Sequence, residues 1–213
     1  MKWYWIKTTG FIKKLFPNYI WSIPSSEKKV YLTFDDGPIP EVTPWVLNVL
    51  KDNNIKATFF CIGNNIEKNP DIFQLIVQQG HRIGNHTFNH LNSWKTKNSV
   101  YFKNIEVCEK IIEKYILPKQ SKLFRPPYGR IKPFMSSKIR NRGYKIIMWD
   151  VLSADFDSTI TPERCYENVV KNVSSGSIII FHDSIKAYTN LKYALPKVIS
   201  FLKEKGYTFE KLS

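Results

Sequence analysis

The chain has few cysteines and few acidic residues. Its three cysteines among 213 residues, Cys61, Cys108 and Cys165, are far apart and form no C-x-x-C pair. This spacing argues against a disulfide framework and a cysteine-based zinc module, so we expect three buried thiols. Lys and Arg number 32 against 18 Asp and Glu, which gives a net charge of +14. We interpret the excess as a solvated basic surface and expect no nucleic-acid partner, because the sequence contains no nucleic-acid-binding module.

Long apolar runs are also absent. Lys7, Lys13 and Lys14 interrupt the apolar stretches near the N-terminus, so we expect no signal peptide, no membrane span and a cytoplasmic protein. Residues 1–28 are predicted to form a basic, aromatic arm. Packing of this arm on the rest of the chain is our preferred arrangement. The alternative is an amphipathic helix with weak peripheral contact to a membrane or another anionic polymer. We expect a monomer.

From residue 29 onward, strand-like and helix-like segments alternate along the chain. The predicted strands are 29–34, 56–62, 81–86, 122–124, 144–149, 177–181 and 207–212. The predicted helices are 42–53, 70–80, 98–116, 133–143, 161–173 and a last helix that leads up to 203–206. Such alternation predicts an α/β fold with a parallel sheet, either closed into a barrel or doubly wound. We expect one catalytic domain over residues 29–213.

Side chains that can bind a metal or move a proton follow the ends of the predicted strands. They are Asp35, Asp36, His86, His90, Arg125, Asp155 and His182. The carboxyl ends of parallel strands meet at one edge of a sheet or barrel, and active sites gather there. We therefore expect these seven side chains to share one site.

Two aspartates and two histidines indicate a bound cation. In YLTFDDGP an apolar strand runs into Asp35 and Asp36, and two adjacent like charges there cost free energy unless a cation balances them. His86 and His90, in NHTFNH, are four residues apart and face the same way on a helical turn. Two imidazoles and one carboxylate leave positions open for water and substrate, as a catalytic site requires. We expect Zn²⁺, with Co²⁺, Ni²⁺ or Mn²⁺ as alternatives.

The motifs TFDDGP, NHTFNH, RPPYG and FHDS follow one another along the chain. In this order they resemble the polysaccharide deacetylases of the NodB-homology family, carbohydrate esterase family four, and the likeness covers about residues 29–212. The resemblance implies a distorted, incomplete parallel (β/α) barrel of about seven strands. It also implies an enzyme that removes N-acetyl or O-acetyl groups from sugar polymers with a divalent metal.

The first motifs of the family assign roles to five residues by resemblance. Asp36, His86 and His90 match the metal ligands. Asp35 matches the general base that takes a proton from the attacking water. Arg125 matches the arginine that pairs with this base and keeps it ionised.

The later motifs imply the remaining roles. The backbone N–H of Tyr128 matches the donor to the tetrahedral oxyanion, and Tyr128 also contacts substrate. His182 matches the general acid that protonates the departing amine, and Asp155 is expected to favour its charged form. Ile180 matches an apolar position of the acetyl pocket, and Phe156 keeps an aromatic wall there.

The chain departs from the family in its fourth motif. The usual pattern is D-x-x-D-W, whereas LSADF has Leu152 in place of the first aspartate and Phe156 in place of the tryptophan. Since Asp155 is present, we still expect activity, with a pocket of altered shape.

The expected reaction is removal of N-acetyl groups from N-acetylglucosamine-containing glycans, in chitin oligosaccharides or peptidoglycan. An O-acetyl xylan esterase on the same site is one alternative, and an inactive glycan-binding member of the fold is another. A non-haem iron oxygenase also uses two histidines and a carboxylate. The alternation of strand and helix disfavours it, because those enzymes usually have antiparallel jelly rolls.

Overall fold

The structure is a computed structural model that describes residues 4–116 and 121–213, so the first three residues of the predicted arm lie outside it. The strands are β1 (Lys29–Asp35), β2 (Thr58–Cys61), β3 (Arg82–Asn85), β4 (Lys122–Phe124), β5 (Tyr144–Ile146), β6 (Val151–Leu152), β7 (Ile178–His182) and β8 (Thr208–Phe209). The helices are α1 (Gly10–Leu15), α2 (Val42–Asp52), α3 (Gly63–Lys68), α4 (Pro70–Gln78), α5 (Asn98–Ile112), α6 (Pro133–Arg140), α7 (Pro162–Val170) and α8 (Tyr188–Glu204).

The strands form one parallel sheet that curls into an incomplete barrel. Their order is β5-β4-β3-β2-β1-β7-β6, and β8 pairs with the start of β1. Going round the barrel, the strands follow the chain order from β1 to β7, and β7 pairs with β1. Within the described ranges, the one break in this ring lies between β5 and β6. The incomplete barrel implied by the resemblance is confirmed. A doubly wound sheet would reverse direction at a central strand, and that alternative is wrong.

Strand β1 shows how the sequence aims side chains into the barrel. Alternate residues of a strand point to opposite faces. Leu32 and Phe34 are fully buried in the main apolar core under the helices, where Phe34 stacks on Phe59 at 5.1 Å. Thr33 and Asp35 therefore point to the barrel interior, which places a carboxylate inside the fold at the carboxyl end of the strand.

The N-terminal arm lies along the break in the barrel. On the β5 side, Ile20 N donates to Ile146 O at 2.9 Å, and Met148 N donates to Ile20 O at 2.8 Å. On the β6 side, Leu152 N donates to Ile6 O at 2.8 Å. The arm thus packs on the domain, in the arrangement we preferred, and α1 is its one helix among the described residues. The division of the chain at residue 28 stays a prediction.

Two short elements, α3 and β6, have no counterpart among the predicted segments. Helix α3 was missed because GNNIEK has one apolar residue, the buried Ile66, and hence no apolar periodicity. Strand β6 was missed because two residues carry no pattern, and its position depends on pairing with β7. The predicted strands 144–149 and 207–212 shrink to β5 and β8. Helix α8 contains Pro196 and begins eight residues before it.

All three cysteines are buried and free, as expected. Among the described residues, we find no helix with the length and apolar character needed to cross a bilayer.

Candidate metal and catalytic site

The carboxyl ends of the strands open into a cleft of about 630 Å³. Eight of the ten predicted site residues line it: Asp35, Asp36, His86, His90, Tyr128, Phe156, Ile180 and His182. The other two, Arg125 and Asp155, are fully buried and contact cleft residues from behind. The structure therefore brings together every residue that the sequence assigned to the site.

Asp36, His86 and His90 form a compact set of ligand atoms. Asp36 Oδ1 lies 3.4 Å from His90 Nε2 and 3.8 Å from His86 Nε2, and one ligand atom from each residue lies within 4.8 Å of the others. Asp36 Oδ1 is buried and has no hydrogen-bond partner within the described part of the chain. A buried carboxylate oxygen without a donor is costly, and a cation removes that cost. The three side chains therefore fit a divalent metal ion.

The backbone at these ligands is also unusual. Asp36 has φ of 85° and His90 has φ of 53°, both in the left-handed region that non-glycine residues seldom adopt. Such conformations persist where the surrounding structure imposes them, and they concentrate at functional sites.

Both histidines are held in the neutral form that binds metals. His86 Nδ1 lies 2.7 Å from the carbonyl oxygen of Arg125, so Nδ1 carries the proton and Nε2 faces Asp36 with its lone pair. Burial, reinforced by the charge of His90, lowers the pKa of His86 to about 3. Burial also lowers the pKa of His90. Neutral imidazoles at neutral pH favour metal binding.

Asp35 is held by a buried arginine. Arg125 Nη1 donates to Asp35 Oδ1 at 2.6 Å and to Thr33 Oγ1 at 2.8 Å, while Nη2 donates to Met148 O at 3.0 Å. The second oxygen, Asp35 Oδ2, lies 3.8 Å from His86 Nε2. Since the guanidinium is fixed by several acceptors, one oxygen of Asp35 is anchored and the other faces His86.

His182 and Asp155 form the other side of the site. Asp155 Oδ1 accepts from His182 Nδ1 at 2.8 Å, and Oδ2 accepts from the His182 backbone N–H at 2.7 Å. Burial alone would lower the pKa of His182, but the charge and hydrogen bond of Asp155 outweigh it and raise that pKa to about 9. His182 is therefore protonated at neutral pH and can donate a proton into the cleft.

The remaining predicted residues form the walls. Tyr128 has φ of 61°, and its ring lies 4.6 Å from that of His90. Leu152 and Ile180 belong to one apolar cluster, against which Phe156 packs. Phe156 also meets His182 edge-on at 5.0 Å. The two substitutions in the fourth motif, Leu152 and Phe156, thus keep this wall apolar.

Sequence reasoning missed the residue that supports the DDGP turn. Asp183 is fully buried and accepts hydrogen bonds from Gly37 N at 3.0 Å and Thr43 Oγ1 at 2.6 Å. A Cβ at Gly37 would lie 2.0 Å from Asp183 Oδ2, so the turn requires glycine. Burial raises the pKa of Asp183 to about 8. Its position directly after His182, in FHDS, was the available signal.

Several other cleft residues were also missed. They are Tyr4, Asn92, Lys95, Arg130, Trp149 and Lys186. They come from five separate parts of the chain and share no motif, so no local pattern could have grouped them.

These features define a class: an incomplete parallel barrel with two histidines and one aspartate at the carboxyl edge, beside a second aspartate and a protonated histidine. A family model described as polysaccharide deacetylase matches residues 22–147. A peptidoglycan-N-acetylglucosamine deacetylase of Bacillus cereus is 36% identical over 209 residues, which is 98% of this chain and 94% of that protein. The chain belongs to the polysaccharide deacetylase family.

Solved structures agree with this assignment. The crystal structure of the Bc1960 peptidoglycan N-acetylglucosamine deacetylase, in complex with an N-oxidanyl-benzamide, is 35% identical with a TM-score of 0.87. The match covers 96% of this chain and 95% of that one. A second structure, of a protein from Bacillus anthracis described as a pseudoenzyme of family CE4, is 25% identical with a TM-score of 0.81. That match covers 91% of this chain and 66% of the other.

Proposed function

We propose that this protein is a metal-dependent N-deacetylase of N-acetylglucosamine residues in peptidoglycan. One observation carries the proposal: the ligand set Asp36, His86 and His90 lies in the same cleft as Asp35 and the protonated His182. Amide hydrolysis needs a base for the attacking water and an acid for the departing amine.

The ligand set suits one divalent ion, with Zn²⁺ as our first choice. Two imidazoles and one carboxylate are a donor set that zinc accepts while keeping a position open. When bound, such an ion supplies Lewis-acid polarisation of the acyl carbonyl and lowers the pKa of the attacking water.

Asp35 is the general base in this proposal. Its Oδ2 faces the ligands and accepts a proton as the water oxygen bonds to the acetyl carbon. Arg125 holds the other oxygen and favours the ionised carboxylate. The backbone N–H of Tyr128 donates to the oxyanion that forms, and a donor of this kind contributes about 3–4 kcal/mol.

His182 completes the reaction as the general acid. Its Nε2–H passes to the amide nitrogen as the bond from carbon to nitrogen breaks, and acetate and a free amine leave. Asp155 positions the ring and stabilises its charged form. An ester has less need of this proton, because an alkoxide leaves more readily than an amide nitrogen. The pair therefore favours amide substrates over O-acetyl xylan.

The rim of the cleft supports a charged glycan rather than neutral chitin. Lys95, Arg130 and Lys186 line the cleft together with its aromatic residues. Arg130 lies over the exposed ring of Trp94, with 5.0 Å between guanidinium carbon and ring centre. Peptidoglycan carries carboxylates and chitin does not, so cations at the rim favour peptidoglycan. The relatives described as peptidoglycan N-acetylglucosamine deacetylases support the same choice.

Acetate release tests the proposal. Purified protein is incubated with peptidoglycan fragments, chitin oligosaccharides and O-acetyl xylan, with metal, with chelator, and with metal restored. We expect metal-dependent acetate release that is fastest from peptidoglycan. Fastest release from xylan would favour the esterase. No release from any substrate with metal present would reject the proposal that the protein is an active deacetylase.

A non-catalytic member of the family is the second candidate, since one structural relative is described as a pseudoenzyme. Its signature would be glycan binding that Asp35→Asn leaves unchanged, with no turnover by the wild type. Calorimetry on the same fragments measures that binding.

Location, membrane contact and oligomeric state stay predictions. Cell fractionation tests the cytoplasmic location, vesicle sedimentation tests peripheral contact, and sedimentation velocity tests the monomer. A cytoplasmic protein would meet soluble or lipid-linked precursors rather than finished wall polymer.

A further inference from the structure

The N-terminal arm runs along β6 and reaches the cleft. Thr8 N donates to Asp150 O at 2.9 Å, and Thr8 Oγ1 donates to Trp149 O at 2.8 Å. Two residues earlier, Ile6 O accepts from Leu152 N. This antiparallel pairing fixes the direction of the arm. Tyr4, two residues before Ile6 in the chain, therefore lies beside the turn that follows β6.

The hydroxyl and the ring of Tyr4 both make contacts at the wall of the cleft. Its hydroxyl donates to the Asp157 carboxylate, and its ring meets Phe156 edge-on at 5.5 Å. Phe156 in turn meets His182 edge-on at 5.0 Å. Tyr4 also packs against the apolar cluster that contains Leu152 and Ile180.

The apolar side of the cleft is where the acyl chain of a substrate belongs. The acetyl methyl is an apolar group beside the scissile bond, whereas the opposite side carries the metal ligands and Asp35. Burying a methyl against Leu152, Ile180 and Phe156 is favourable by the hydrophobic effect, and space beyond it would admit longer chains. Tyr4 stands beside Phe156 on this side.

We propose that Tyr4 is a specificity-determining residue that limits the acyl chain to acetyl and a positioning residue that holds Phe156 against His182. The inference rests on the proposed function, because it assigns part of the substrate pocket to residues outside the four motifs. It gives the N-terminal arm a role in catalysis besides closing the barrel.

The test compares N-acetyl with N-butanoyl chito-oligosaccharides on wild type, Tyr4→Ala, Tyr4→Phe and Tyr4→Leu. Trp5→Ala is the matched control, since Trp5 is the next arm residue and 65% exposed. Hydrolysis gives kcat and KM for each substrate. Calorimetry in an Asp35→Asn background gives the binding preference without turnover.

A hydrophobic pocket discriminates by about 10–200-fold per methylene group, so wild type should prefer acetyl by at least about tenfold. Tyr4→Ala should reduce that preference to less than about threefold and raise KM for the acetyl substrate, since the wall opens. Tyr4→Phe keeps the ring and should retain most of the preference. Trp5→Ala should match wild type in both measurements.

Three results would overturn the inference: no acetyl preference in wild type, an unchanged preference in both Tyr4→Ala and Tyr4→Leu, or an equal loss in Trp5→Ala. If Tyr4→Ala does not fold, the preference for acetyl over butanoyl is measured on Tyr4→Leu instead. Failure of the proposed function appears separately as no turnover by wild type, and the binding preference then still decides the role of Tyr4.

Discussion

Arg125 and Asp35 form an ion pair inside the barrel, with 2.6 Å between Nη1 and Oδ1 and almost no exposure of either side chain. Taking both charges out of water is costly, and their attraction offsets this only when the remaining donors are satisfied. Here Thr33 and the carbonyl of Met148 accept from the same guanidinium. The pair therefore orients the Asp35 carboxylate, and removing one member leaves an uncompensated charge.

Arg125→Met should lower the free energy of unfolding by about 3–5 kcal/mol, the usual cost of breaking a buried pair from one side. Urea unfolding followed by circular dichroism measures it. The double variant Asp35→Leu/Arg125→Met should recover a large part of the loss, because it removes both charges. If the loss of unfolding free energy in the double variant equalled the sum of the losses in Asp35→Leu and Arg125→Met, the two residues would not be coupled.

The pH dependence of deacetylation should follow His182. Its pKa is raised to about 9, so the acid form is present at neutral pH and is lost as pH rises through about 9. In Asp155→Asn the supporting charge is gone, and the alkaline limb of kcat should move down toward the ordinary histidine pKa of about 6.5. Wild type and variant are compared from pH 5 to 10. An alkaline limb at the same pH in both would contradict the assignment of His182.

Removal of the general acid should affect amides more than activated esters. His182→Asn should lower kcat for N-deacetylation by about 10²–10⁴-fold, the usual contribution of acid catalysis. Hydrolysis of an aryl acetate should fall much less, since a phenolate leaves without a proton. Both reactions are followed on one protein preparation. Equal losses on the two substrates would show that His182 acts in some other way.

The arm is anchored by a second buried carboxylate. Lys7 Nζ and Lys13 Nζ each lie 2.6 Å from an oxygen of Asp150, whose side chain is 1% exposed. We expect Lys7→Met/Lys13→Met to destabilise the protein by about 2–3 kcal/mol, below the range for fully buried pairs because both lysines are partly exposed. Lys14→Met is the control, since Lys14 is exposed on the same arm. If Lys14→Met destabilised the protein as much as the double variant, the contacts of Lys7 and Lys13 with Asp150 would not be what anchors the arm.

This anchor also has an expected pH signature. Burial raises the pKa of Asp150, but hydrogen bonds from Lys13, Lys7 and Ser177 outweigh it, and the net shift is downward. A depressed pKa contributes stability above the unfolded-state value of about 3.9, and that contribution is lost as pH falls through the folded value. The stability difference between wild type and the double lysine variant should therefore shrink below about pH 4. A difference that stays constant under acid conditions would contradict this linkage.

Most of the site could be predicted from the sequence because its residues obey a simple geometric rule. Asp35 and His182 end parallel strands, and Asp36, His86 and Arg125 follow such ends, so one edge collects them. The four-residue spacing of His86 and His90 is a local signal, but the helical turn expected there is wrong, because the chain forms a bend after β3 instead. None of these inferences needs knowledge of contacts between distant segments.

Contacts between distant segments account for what was missed. Tyr4 reaches the cleft only because the arm pairs with β6, roughly 145 residues later, and short β6 has no pattern of its own. Asp183 supports the DDGP turn from the position directly after β7. Asp155 follows β6 rather than the predicted fifth strand 144–149, because β5 ends at Ile146 and a separate short strand, β6, begins at Val151 and pairs with β7.

Metal binding by the three ligands tests the central claim most directly. Protein loaded with excess Zn²⁺ and freed of unbound ion is analysed by inductively coupled plasma mass spectrometry, and affinities are obtained by competition with a chelating dye. The controls are metal-free protein and His81→Gln, since His81 is buried away from the cleft.

We expect one ion per chain in wild type and in His81→Gln. Asp36→Ala, His86→Ala and His90→Ala should each bind the ion more than about 100-fold more weakly, beyond the 10–100-fold that loss of a supporting partner costs. No uptake by wild type, or equal uptake by the ligand variants, would contradict the account.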